Sequence, residues 1–253
     1  MIPGEVKVNM LKIYEEEYIV RMGQCDRYGK WRPSAILAAM QDAAGTHSEK
    51  LDCGRAKLLE KNLVWVLTRT EVRMQRYPSS GEKVLIRTFP APNKRWFFPR
   101  YYLFIDEAGN EIGKAGTLWV LLDFETRKMA PPGEAAALLP DNSDLELPLG
   151  MPPAIPQVEG EDSITLRMPV YTDIDVNGHV NNTRYADWAC DALGIDIMEK
   201  YEPASILVNY AQEIMPGQEM ELHAAADGTH YRVSGKFGEK VHFELGGELR
   251  KRD

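Results

Sequence analysis

The chain carries the same turn twice, and each copy stands between a strand pattern and a helix pattern. Asp26-x-x-Gly29 aligns with Asp175-x-x-Gly178. The first copy opens with a strand-like run over residues 17–22, followed by the turn Asp26-Arg27-Tyr28-Gly29-Lys30-Trp31. Pro33 and Ser34 then begin a helical pattern in which Leu37, Met40, Ala44, His47 and Leu51 share one face at spacings of three and four. Proline near the first turn and Gly54 just past the end suit the limits of a helix. Strand patterns follow at 64–72, 83–89, 97–105 and 114–124. The second copy repeats the order, with a strand over 164–171 and then the Asp175 turn. Its helix sets Tyr185, Trp188, Ala192 and Leu193 on one face and Arg184, Asp187 and Asp191 on the other. Strands follow at 205–214, 219–226, 231–237 and 240–249. Met220, Leu222 and Ala224 alternate with polar residues, the period of half-buried antiparallel strands. One strand, one long helix and four strands, done twice, predicts an α+β fold of two tandem units, each a long helix against an antiparallel sheet.

Between the copies, residues 127–160 are rich in proline, acidic residues and short side chains, and include Pro131-Pro132-Gly133 and Pro152-Pro153. They read as a linker partly extended by its prolines. Leu138-Leu139 and the run 145–149 are expected to pack on the surface, so the linker is not read as disordered. The expected organisation is therefore a first unit over 1–126, a linker over 127–160 and a second unit over 161–253.

Composition excludes some function classes. The 253 residues are 44% hydrophobic, enough for one large domain or two of about 120 residues. A net charge of −8 argues against general nucleic-acid binding, and obliges any acidic partner to dock on a local basic patch. Cys25, Cys53 and Cys190 have no paired spacing, which predicts reduced thiols and a cytoplasmic setting. No apolar run approaches the length of a membrane span, and residues 1–17 lack both a signal-peptide and a transit-peptide pattern.

Chemistry concentrates in Asp175-Val176-Asn177-Gly178-His179-Val180-Asn181-Asn182. A carboxylate, a carboxamide and an imidazole stand at i, i+2 and i+4. In an extended segment these side chains point to one side, so their polar heads are expected to converge. The helix that follows adds unpaired N–H groups and a positive dipole end. Acyl transfer needs this set: a base or nucleophile, an orienting amide, an imidazole and donors for an oxyanion. A plain polar turn capping a helix would use Asp and Asn too. Only the second copy keeps the trio; the first has Tyr28 and Lys30 at the places of Asn177 and His179.

The duplicated pattern together with this turn resembles the acyl-ACP thioesterases. The resemblance covers nearly the whole chain. In the second half it rests on Asp175-Val-Asn177-Gly-His179-Val-Asn181-Asn182-x-x-Tyr185 and on Tyr210-Ala211-Gln212-Glu213. In the first half it rests on Gln41-Asp42-Ala43-Ala44-Gly45, on 65–69 and 95–101, and on Gly116-Thr117-Leu118-Trp119-Val120. The resemblance implies a double hot-dog fold, hydrolysis of fatty acyl thioesters on acyl carrier protein, no cofactor, and a first unit that shapes the acyl pocket. Asp175, Asn177, His179 and Glu213 match the family's active-site positions. A cysteine proposed as nucleophile in plant members would directly follow the glutamate; Ile214 stands there, which favours carboxylate and water chemistry. Backbone N–H groups near Val180 and Asn181 are the expected oxyanion donors.

Other readings stay beside this one. Acyl-CoA is an alternative substrate, and a non-catalytic acyl-binding protein would need only apolar walls. Hot-dog hydratases place a proline after the asparagine and the histidine one residue later than here. His223, His230 and His242 have no cysteine or acidic partner at metal-ligand spacing, so no metal is expected. His47 reads as a satisfied core histidine and Cys190 as a small packed residue. Lys94, Arg95 and Arg100, interleaved with aromatic residues, form the densest basic cluster and read as a strand end or as a docking patch for an acidic carrier protein. A homodimer is compatible with all of this.

Overall fold

The computed structural model describes residues 11–159 and 162–252. The expectations for residues 1–10, and the outermost limits of the expected units at 160, 161 and 253, lie outside the described residues. In the first half the order is β1 (Tyr14–Ile19), α1 (Pro33–Lys50), α2 (Arg55–Leu59), β2 (Leu63–Met74), β3 (Lys83–Pro90), β4 (Phe98–Asp106) and β5 (Glu111–Asp123). A short α3 (Gly133–Ala137) follows. In the second half the order is β6 (Ser163–Arg167), α4 (Arg184–Leu193), α5 (Ile195–Lys200), β7 (Tyr201–Pro203), β8 (Ser205–Tyr210), β9 (Met220–Ala226), β10 (His230–Phe237) and β11 (Lys240–Lys251).

The strands form one antiparallel sheet in the order β1-β3-β4-β5-β2-β8-β11-β10-β9-β6, with β7 pairing β11. The first five strands of this path come from the first half and the last five from the second. They join where β2 pairs β8, from Arg69 opposite Asn209 to Arg73 opposite Ser205. Each half is thus a helix on an antiparallel sheet, the tandem hot-dog expected. The two helices meet: Ser34 Oγ in α1 donates to Asp187 Oδ1 in α4 at 2.5 Å. One apolar cluster runs through both halves and includes Trp31, Ile36, Met40 and Phe104 with Tyr185, Trp188, Ile206 and Phe243. Each fully buried Ile or Phe of this cluster contributes roughly 1.5–3 kcal/mol.

Three expectations need correction. The second helix is not long: α4 has ten residues and stops at Gly194, whose φ of +82° is left-handed and cheap only for glycine. The strand expected over 205–214 ends at Tyr210, because the Ala211 and Gln212 N–H groups both turn to the His242 carbonyl. The strand expected over 164–171 stops at Arg167, and Tyr171–Asp173 forms a single 3-10 turn. The segment after β5 packs on the sheet as expected. Leu145 and Leu149 lie against Phe89 and Tyr101, and buried Asn142 donates to the carbonyls of Lys12 and Pro90.

Candidate active site

Each copy of the repeated turn is closed by the same bonds. In the second half the Asp175 N–H donates to the His179 carbonyl at 3.0 Å and the Gly178 N–H to the Asp175 carbonyl at 3.0 Å. In the first half the Asp26 N–H donates to the Lys30 carbonyl at 2.8 Å and the Gly29 N–H to the Asp26 carbonyl at 3.0 Å. Both glycines are left-handed, at φ +81° and +72°. The aspartate carboxylate fastens each turn by accepting the N–H two residues on, from Asn177 at 2.8 Å and from Tyr28 at 2.9 Å. The segment is therefore not extended, as the spacing argument assumed. Asp175 and His179 come together because they close the ends of a tight turn, and Asn177 sits exposed at its tip.

Glu213 reaches the same place from the loop after β8. Its carbonyl accepts from His242 Nδ1 at 2.9 Å, and the next carbonyl, of Ile214, accepts the Val180 N–H at 2.9 Å. The result is an imidazole between two carboxylates. His179 Nδ1 lies 3.9 Å from Asp175 Oδ1, and Nε2 lies 3.8 Å from Glu213 Oε1. Neither gap is a direct hydrogen bond. Asn177 Nδ2 adds a second, longer contact to Asp175 Oδ2 at 3.3 Å. The side chain of Asp175 is 16% exposed, that of His179 22% and that of Glu213 43%, so the carboxylate on the Nε2 side faces solvent. Glu213 also forms an ion pair with Arg127.

The expected oxyanion donors are corrected here. The Val180 N–H is spent on Ile214, and the Asn181 N–H donates to the Asp173 carbonyl at 2.8 Å. Both are used to tie the turn to its neighbours. The Asn181 side chain serves the start of α4 instead, accepting from the Thr183 N–H at 2.9 Å and from its hydroxyl at 2.8 Å. Tyr185, the second residue of α4, stacks on Phe243 at 4.4 Å and 12°. Gly235 leaves the space the Phe243 ring takes; a Cβ there would run into it.

Beside the turn lies a cavity under α1. Leu37, Met40 and Gln41 form one wall and Leu67, Tyr102 and Trp119 the other, and it reaches Asn182 and Tyr210. The basic cluster is split by the fold. Lys94 and Arg95 are exposed at a hairpin tip with Trp96 and Phe97, whereas Arg100 is only 6% exposed. Arg100 points under α1, to His47 Nδ1 at 3.0 Å and Thr88 Oγ1 at 3.3 Å, and so cannot be part of a docking patch. His47 is the buried, bonded core histidine expected. His223 lies beside Asp162 and Glu221, and His230 beside Thr229. His242 and Arg127 carry no local sequence signal, because each acts through a residue far from it in the chain.

The sequence model of the acyl-ACP thioesterase N-terminal domain matches residues 11–134, and that of the C-terminal domain matches residues 158–247. The chain belongs to the acyl-ACP thioesterase family. An acyl-[acyl-carrier-protein] hydrolase of Cuphea viscosissima is 25% identical over 209 residues, which are 77% of this chain and 49% of that protein. A palmitoyl-acyl carrier protein thioesterase of Gossypium hirsutum is 29% identical over 167 residues, 62% of this chain and 40% of that protein. The chain thus spans half or less of the length of these curated relatives. An acyl-ACP thioesterase structure from Bacteroides thetaiotaomicron superposes with a TM-score of 0.86 at 25% identity, covering 94% of this chain and 98% of that one. The 12:0-ACP thioesterase of Umbellularia californica shares the fold, with a TM-score of 0.81 at 20% identity over 95% of this chain and 98% of that one. Among the described residues no helix is long and apolar enough to cross a membrane.

Within this thioesterase fold the thiols are poor nucleophile candidates. Burial pushes the Cys190 thiol up to about 12, and burial raises that of Cys53 as well. Ile214, fully buried, fills the place beside Glu213. Replacing Cys25, Cys53 and Cys190 together by Ser or Ala is expected to leave the chemical step within a few-fold of the parent, measured by single-turnover hydrolysis of the folded variant. A trapped acyl-cysteine in the parent, with loss of activity in the variant, would contradict the carboxylate chemistry.

Proposed function

We propose that this protein hydrolyses the thioester of fatty acyl-[acyl carrier protein], releasing the free fatty acid and ending chain elongation. The observation that carries the reading is His179 set between Asp175 and Glu213, on opposite ring nitrogens. The first half, which supplies most of the lining of the narrow cleft under α1, shapes the acyl pocket. The second half supplies Asp175, Asn177, His179 and Glu213, and residues 127–160 join the two.

The geometry supports these roles. Glu213 is the more exposed carboxylate and acts as general base for water. Asp175 is held by the Asn177 N–H and amide and lies on the Nδ1 side of His179, whose Nδ1 bonds the Val180 carbonyl at 3.3 Å. His179 orients the water or donates to the thioester carbonyl through Nε2. Water attacks the carbonyl carbon, its proton passes to Glu213, and the tetrahedral oxyanion collapses with cleavage of the C–S bond. A thiolate is a good leaving group, so a strong general acid is less necessary than for an amide.

The direct test is hydrolysis of acyl-ACP and acyl-CoA of matched chain lengths by the purified protein. Turnover of acyl-ACP with the higher kcat/KM supports the reading. Efficient turnover of acyl-CoA alone moves the substrate to the second carrier, and turnover of neither makes the chain an acyl-binding protein. The exposed Lys94 and Arg95 give the carrier preference a physical handle. Neutralising both is expected to lower kcat/KM on acyl-ACP several-fold at low salt, with little change on acyl-CoA, and the loss should shrink at about 0.5 M salt as screening removes the attraction. Unchanged low-salt kinetics on acyl-ACP would place the docking surface elsewhere.

A further inference from the structure

Arg127 opens the segment that joins the two halves, and its guanidinium pairs with Glu213 of the second. It stands just past β5, in a loop built to hold it. Asp123 fastens that loop, its Oδ1 accepting the Thr126 N–H at 2.7 Å and hydroxyl at 2.8 Å, while Asn62 donates to its Oδ2 at 2.8 Å. The Arg127 N–H closes the turn on the Asp123 carbonyl at 2.9 Å, and the Asp123 N–H takes the Lys128 carbonyl at 2.9 Å. Arg127 itself sits at φ +57°, where glycine would be free of strain and a side chain is not.

Stability does not account for an arginine there. The two side chains of the pair are 48% and 43% exposed, and exposed pairs of this kind are worth about 0–1 kcal/mol. A strained backbone bearing a cation of little structural value, aimed at a candidate base, is better explained by the site. The fold repeats the device. Arg252, just past the last strand of the second half, reaches the first half's turn, pairing with Asp26 at 3.1 Å and lying 4.4 Å over the Tyr28 ring. There the arginine is 14% exposed and also bonded to Glu202 and to the carbonyls of Met198 and Tyr201, so it plugs a turn that has lost its asparagine and histidine. One arginine thus plugs the first half's turn, and the other pairs with the open carboxylate of Glu213 in the loop after β8.

We infer that Arg127 is a positioning residue for Glu213, holding the carboxylate turned toward His179, so that the catalytic set is completed across the two halves. This rests on the hydrolase reading above. The groups facing the carboxylate are then Arg127 and His179, both toward Oε1, with Asp175 beyond the imidazole. Losing the guanidinium frees the carboxylate to swing away from the water it must activate.

The test uses Arg127→Gly, which relieves the left-handed strain, together with Arg127→Lys and the parent, on an acyl thioester the parent turns over. Arg127→Gly is expected to keep or raise thermal stability and to lower kcat roughly ten- to a hundredfold, as for a misplaced reacting group, with KM little changed. Arg127→Lys keeps more of the rate than Arg127→Gly, and added guanidinium restores part of the glycine variant's kcat. If Arg127 only braces the loop, the glycine and lysine variants lose equally and guanidinium restores nothing, which overturns the inference. An inert parent overturns both the hydrolase reading and this role, whereas an active parent with an unimpaired Arg127→Gly overturns this role alone.

Discussion

Replacing His179 or Glu213 by alanine is expected to lower turnover of an acyl thioester by at least about a hundredfold, the loss typical of a general acid or base. The fold should survive both changes. The Glu213 side chain is 43% exposed and its ion partner is an exposed arginine, so truncation removes little packing. Its loop is held through its own carbonyls, by the His242 imidazole at Glu213 and the Val180 N–H at Ile214, which the substitution leaves in place. Circular dichroism and thermal unfolding beside steady-state kinetics separate lost chemistry from lost structure. Asp175→Asn isolates the charge at the third position, because asparagine keeps the Oδ1 acceptor that the Asn177 N–H needs. A folded Glu213→Ala protein with near-normal hydrolysis would remove Glu213 from the mechanism.

The duplicated architecture was legible because it is written in local signals. The turn aspartate and left-handed glycine, the threes and fours of α1, and the alternation of β9 and β10 each follow from backbone chemistry within a few residues. The polar trio was legible too, but for the wrong physical reason. Asp175 and His179 meet because their backbones close a turn, not because an extended strand aligns their side chains. The oxyanion donors were misassigned because the fate of an N–H group depends on what packs beside it. Val180 finds Ile214, 34 positions on, and no spacing rule shows that. Arg100 was grouped with Lys94 and Arg95 by proximity in sequence. Strand alternation and the α1 helix above it put Arg100 inside and leave the other two at a hairpin tip. Arg127 was read as the first residue of a linker. Its role depends on the register that brings the end of β5 beside the loop after β8, through the β2–β8 seam.

The same buried arginine gives the fold an acid limit. His47 is fully buried in α1, with Nε2 2.8 Å from the Leu11 carbonyl and Nδ1 3.0 Å from Arg100. Arg100 can only donate, so Nδ1 accepts and Nε2 carries the proton. Protonating Nδ1 would set a second cation against the guanidinium inside the protein. Burial first, and then the charges of Arg100 and Lys50, lower the His47 pKa to about 4, against the upward pull of the Leu11 carbonyl. A histidine whose folded pKa is depressed binds its proton more readily when the chain unfolds. Its contribution to stability is therefore fully present above about pH 6.5 and is lost as pH falls toward about 4. The size of that loss is roughly 3 kcal/mol, the free energy that separates a histidine at 6.5 from one at about 4. His47→Gln keeps an amide acceptor for Arg100 and a donor for Leu11 without the titration. Denaturant unfolding between pH 7 and 4 should show the parent losing about 3 kcal/mol more than the variant across that window. Equal pH slopes in the two proteins would mean that His47 does not set the limit. The consequence would reach function, because His47 and Arg100 fasten the C-terminal part of α1 to β4, and Leu37, Met40 and Tyr102 of the same two elements wall the cavity beside the candidate site.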